Sequence, residues 1–150
     1  MKLSELLSAD VIKVDLESTE KVEVFHELIE VLYRAGRVAD RDAALKAILD
    51  REAMATTGIG SGIAVPHGKT PAIDALTVAL GISEQGIDYD ATDGEPVYVV
   101  FLVLAQVSNP GPHVQCLGEI ARLLMVPGFC DRLRRATGPQ EALDLIRAEE

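Results

Sequence analysis

The chain has 150 residues, 48% of them hydrophobic, which suits one compact domain. With 4% aromatics and no Trp, its core must be built from Leu, Ile, Val and Ala. A formal net charge of −10 excludes partners recognised through a Lys/Arg footprint on phosphates, so no nucleic acid is expected. No stretch approaches the roughly 18 apolar residues of a membrane helix, and MKLSELLSAD lacks the pattern of a signal peptide. Cys116 and Cys130 form no CxxC pair. Without a zinc or disulfide framework, a cytoplasmic location is expected.

Along the chain, helix and strand patterns alternate without repeats or linkers. Val11–Leu16 is a short strand candidate. Ser18 or Thr19 is expected to cap a helix with the apolar stripe Val22, Phe25, Leu28, Ile29 and Leu32, and Gly36 follows its end. His26 lies on that helix as an ordinary face residue. Asp40 caps a second helix, with Ala44, Leu45, Ile48 and Leu49 at helical spacing, running out near Ala55. A loop with glycine at every second position, Gly58, Gly60 and Gly62, leads into the short strand Ile63–Val65, which Pro66 ends.

Leu76, Val78, Leu80 and Ile82 alternate as in a half-buried strand. Asp88-Tyr89-Asp90 and Asp93-Gly94 frame a turn-rich connection. The run from Val97 to Leu104 is apolar on both faces, as in a central strand. Pro112 opens a helix with the stripe Val114, Leu117, Ile120, Ala121 and Leu124. Two shorter helices, around 129–136 and 139–148, close the chain. Arg132, Arg134 and Arg135 read as a solvated helix end whose cations suit the dipole. The fold class is therefore α/β: a sheet with helices packed against it.

Among the histidines, His67 stands apart. It follows a glycine-rich loop, a short strand and a proline, and Gly68 follows it. Neutral imidazole is a nucleophile suited to exchanging a labile group near neutral pH, and this setting presents it with room for a partner. His113 falls at a helix start, where unpaired N–H groups favour anions. From residues alone the two histidines are either one site or two unrelated surface positions. Gly68-Lys69-Thr70 looks like the end of a phosphate-binding loop, but position 63 is Ile where that motif needs Gly, and the dinucleotide pattern fails on Ile63 too. A metal enzyme lacks a third ligand and any HxH or HExxH spacing. Cys116 and Cys130 read as packing residues.

The segment Thr57-Gly58-Ile59-Gly60-Ser61-Gly62-Ile63-Ala64-Val65-Pro66-His67-Gly68-Lys69 resembles the phosphorylation-site signature of the fructose/mannitol-type IIA domains of the bacterial phosphoenolpyruvate-dependent phosphotransferase system (PTS), which include the nitrogen-regulatory IIA proteins. Arg51-Glu52 upstream, Gly86 to Ala91 with Asp93 to Val97, and His113 with the helix through Leu124 resemble further family blocks in the right order. The resemblance implies one IIA domain over 1–150: a mixed sheet flanked by helices.

It implies His67 as phosphoacceptor, His113 holding the phosphoryl group and Arg51 supplying charge, with no cofactor and no metal. The implied donor is phosphorylated HPr or its nitrogen-branch counterpart NPr. The implied acceptor is a cysteine on a IIB domain, within a membrane permease complex to which this chain can dock, or else a regulatory target. A binding module that keeps the fold without phosphorylation is the alternative reading. A homodimer stays open. The family often has proline where this chain has Gln106. With Pro110 and Pro112, that loop governs how His113 faces His67.

Overall fold

The computed structural model describes residues 1–150. Its strands are β1 (Ile12–Lys13), β2 (Gly58–Gly60), β3 (Ile63–Ala64), β4 (His67–Lys69), β5 (Thr77–Ile87) and β6 (Val97–Ala105). Its helices are α1 (Lys21–Arg34), α2 (Arg41–Glu52), α3 (Gly111–Leu124), α4 (Phe129–Arg134) and α5 (Pro139–Ala148), preceded by 3-10 turns at Leu3–Glu5 and Ala9–Val11. The expected α/β architecture, a mixed sheet with helices packed on it, is what forms. The strand order is β1-β5-β6-β3-β2, with β4 also beside β6.

Strand β6 organises the sheet. Its apolar residues are buried at every position except the half-buried Tyr98. It pairs antiparallel with β5, from Thr77 opposite Leu104 to Ile82 opposite Val99. Along its other edge lie β3 and then β4, both parallel to it. Residues 63–69 are thus one extended segment on β6, interrupted at Val65-Pro66. Pro66 has no N–H to give, but its carbonyl accepts from the Val103 amide at 2.9 Å, so the interruption stays tied to β6. The expected end of the strand at Pro66 is therefore a brief break, and His67 opens the next strand.

Several boundaries differ from the sequence reading. Val11 belongs to the preceding 3-10 turn, which shortens β1. The cap of α1 is Glu20, without a side-chain hydrogen bond, rather than Ser18 or Thr19. Asp88 donates to the Thr19 carbonyl and accepts from the Lys21 amide, a bridge that holds Glu20 extended between them, so the helix cannot begin earlier. The helix is rotated accordingly: Val22 is 45% exposed and Val24 is buried. Strand β5 is buried without alternation from Thr77 to Ser83, because elements pack on both its sides; α1 and α4 both reach it. In α3, Pro110 is the cap and Pro112 the second residue; His113, Cys116, Ile120 and Leu123 face the core. Val114 of the expected stripe is 68% exposed, whereas Leu117, Ala121 and Leu124 line a groove. Helix α2 stops at Glu52, short of Ala55.

The expected cap at the start of α2 forms: the Asp40 carboxylate accepts from the amides of Asp42 and Ala43 at 3.0 and 3.2 Å. Those amides have no partner inside the helix. Asp40→Ala should lower stability by about 1 kcal/mol. A reduced denaturant midpoint with an unchanged slope is the expected result.

Candidate functional site

The site begins with the loop before β3. Gly60 and Gly62 adopt φ of +98° and +81°, a region that side chains resist. Asp93 clamps the turn between them, accepting from the Ser61 amide at 3.0 Å and from the Glu95 amide at 3.1 Å. These amides hold the Asp93 carboxyl below its usual range. At the loop's entry, the Thr57 hydroxyl donates to Glu52 at 2.6 Å and lies 2.7 Å from the Tyr89 hydroxyl. Lys21 pairs with the same Glu52 at 3.0 Å. Tyr89 is 1% exposed, and burial raises its pKa strongly. In sequence Tyr89 reads only as part of a turn, and this network is not visible there. Aromatic side chains are scarce here, and that scarcity is the one signal that could have drawn attention to it.

Strand β4 then carries His67 past α2. Gly68 is required there: a Cβ would lie 2.6 Å from the Ala47 carbonyl oxygen on α2. The half-buried His67 ring has Nδ1 2.8 Å from the Val65 carbonyl oxygen. A carbonyl can only accept, so Nδ1 carries the proton and donates. The Nε2 lone pair is left free, in the tautomer a nucleophile needs.

His113 comes from the first turn of α3, with its ring centroid 5.4 Å from that of His67 and the planes tilted by 58°. It is 8% exposed, and its Nε2 is buried without a hydrogen-bond partner. An unpaired buried polar atom of this kind costs about 1–3 kcal/mol, which a bound acceptor or donor would recover. Burial holds the His113 pKa below its ordinary value, and the His67 and Lys69 charges act in the same direction. The loop with Gln106 does not turn His113 away. Gln106 donates to the Asp74 carbonyl at 2.8 Å, tying the end of β6 to the segment ahead of β5.

Arg51, in the last turn of α2, donates to the Ala55 carbonyl at 3.0 Å and makes no ion pair. It borders two clefts that both include His67. One is lined by Thr56, Ile59, Leu117 and Leu124, the other by Met54, Lys69 and His113. His67, His113 and Arg51 are thus brought together. His26 stays exposed on α1 and borders a different cleft, beside Glu30 and Arg41, and Cys116 is fully buried with its thiol pushed up to about 11. Cys130 is half-buried on α4. Arg134 lies with its guanidinium 3.7 Å from the Tyr98 ring centre, so that part of the basic helix end packs on an aromatic face.

The family model for the phosphoenolpyruvate-dependent sugar phosphotransferase system, EIIA 2, matches residues 5–149. This chain belongs to that family. The fructose-specific EIIABC component of Bacillus subtilis is 38% identical over all of this chain, which spans 24% of that longer protein. A nitrogen regulatory protein of Bradyrhizobium diazoefficiens is 31% identical, over 97% of this chain and 95% of its own length. Among solved structures, nitrogen regulatory protein IIA-Ntr from Neisseria meningitidis aligns with a TM-score of 0.83 at 24% identity, over 96% of this chain and 98% of that one. No helix is long and apolar enough to cross a membrane.

The lowered pKa of His113 has a consequence for stability. Between its folded value and the unfolded value of about 6.5, the unfolded chain binds more protons. Stability therefore rises with pH through that window; the contribution is full above about 6.5 and is lost as pH falls below it. Denaturant midpoints of the wild type should decline on the acid side more steeply than those of His113→Gln.

Proposed function

We propose that this IIA chain accepts a phosphoryl group on His67 Nε2 from phosphorylated HPr, or its nitrogen-branch counterpart, and hands it to a cysteine of a IIB domain for uptake of a fructose-type sugar. The observation that carries the reading is the Val65 carbonyl on His67 Nδ1. It fixes the ring with its nucleophilic nitrogen open toward a cleft shared with Arg51 and His113. In each transfer the donor P–N bond breaks as the His67 Nε2–P bond forms, and that bond breaks in turn as the acceptor sulfur attacks. Nδ1 keeps its proton throughout.

Phosphoryl transfer leaves the protein little covalent work; position and charge carry it. The His113 ring, with Nε2 protonated, donates to a phosphoryl oxygen, and Arg51 offers the N–H groups not used by Ala55. Exposed apolar side chains lining the clefts, Met54 at 81% and Ile59 at 56%, suit the docking face of a protein partner. Cytoplasmic action follows from such partners. Over nearly the whole chain, identity to fructose-specific components is 37–38%, against 31% for the nitrogen regulatory proteins matched at that coverage, which favours transport over regulation. The competing reading is a regulatory module that works unphosphorylated.

The test is intact mass after incubation with phosphoenolpyruvate, enzyme I and HPr. The wild type should gain one acid-labile phosphoryl group and His67→Ala none. His113→Ala should keep the fold and transfer roughly 100- to 1,000-fold more slowly, the scale of losing one charge-stabilising donor. A wild-type chain that gains no mass, with HPr or with its nitrogen-branch counterpart in its place, contradicts the carrier reading.

A further inference from the structure

Strand geometry places Lys69 beside the nucleophile. In β4 the side chains of His67 and Lys69 lie on one side of the strand, while Gly68 turns its bare Cα to the Ala47 carbonyl. The register sets Lys69 opposite Ala105, the last residue of β6, and so at the edge from which the chain runs on to α3 and His113. Lys69 is exposed and borders the cleft that His67, His113 and Arg51 border. Its charge is felt at the His113 ring.

The lysine is also free. In a chain with 24 acidic residues, Lys13, Lys21 and Lys46 each hold a carboxylate. Lys69 holds none. Asp50, the carboxylate bordering the same cleft, is engaged by Lys46 at 2.6 Å. Arg51 is anchored to Ala55, whereas an ammonium on a four-carbon stem can move with a charge that itself moves.

Building on the carrier reading, we propose that Lys69 is a further catalytic residue: its ammonium contacts the phosphoryl oxygens while the group passes between the donor nitrogen and His67 Nε2. The transition state spreads negative charge over three oxygens. His113 and Arg51 meet it from the α3 and α2 sides, and Lys69 from the open mouth of the cleft. A point charge is suited to this place because the group approaches from outside and leaves the same way.

The experiment is time-resolved intact mass with phosphorylated HPr at varied concentration, comparing wild type, Lys69→Gln and Lys69→Arg. Lys69→Gln should lower kcat about tenfold, the effect of one cation near contact distance across a wet cleft, and leave KM unchanged. Lys69→Arg should recover most of the rate. Coincident melting curves are expected, since the side chain is exposed and unpaired. A kcat equal to wild type for Lys69→Gln, a loss confined to KM, or an arginine variant as slow as the glutamine variant overturns the assignment. A wild-type chain that takes up no phosphoryl group removes the reaction itself and the assignment with it. A wild-type chain that takes it up no faster than Lys69→Gln removes the assignment alone.

Discussion

The arrangement depends on one hydrogen bond, from His67 Nδ1 to the carbonyl of a residue two positions earlier in the same chain. That contact requires Val65 and His67 to be held rigidly, although a proline separates them. Strand β6 supplies the rigidity. It pairs with β3 before the break and with β4 after it, and its Val103 amide holds the carbonyl of Pro66 between them. The apolar run of β6 is therefore more than core. It is the ruler against which the ring is set.

Helix α2 meets the same segment from the side. The missing Cβ of Gly68 lets the Ala47 backbone approach, which brings Arg51 to the cleft. The end of α2 is fixed in turn by Glu52, which gathers Lys21, Thr57 and, through Thr57, Tyr89. Bonds to a charged group of this kind contribute about 1.5–3 kcal/mol each. The network joins α1, α2, the glycine loop and the residues after β5, so Arg51 and His67 belong to one body. In an acidic chain, the few unpaired cations at this cleft make it a local well for a dianionic group.

Much of this was legible in sequence. The glycine spacing, Pro66 and the isolated His67 marked the candidate site, and the run at 97–104 marked the central strand, because periodicity and backbone-restricting residues report local structure directly. The resemblance to IIA domains, now matched by the family over residues 5–149, gave the order of the blocks. What stayed hidden depended on tertiary pairing. The start of α1 was set by Asp88 pairing with Thr19 and Lys21, against the capping signal at Ser18. The buried side of α3 was led by His113 and Cys116, leaving Leu117 and Leu124 for the groove beside His67. A stripe of leucines reads as core whether it meets a sheet or awaits a partner. Tyr89 and Glu52 were invisible as a pair, since nothing local joins positions 37 apart.

NMR of the protein carrying 15N-labelled histidine reads the state of the His67 nitrogens directly, before and after phosphorylation. A protonated, hydrogen-bonded Nδ1 on His67 is expected in the free protein and a phosphorus coupling on Nε2 afterwards, with Nδ1 still protonated. Phosphorus bound to Nδ1, or a free protein whose His67 proton sits on Nε2, would contradict it.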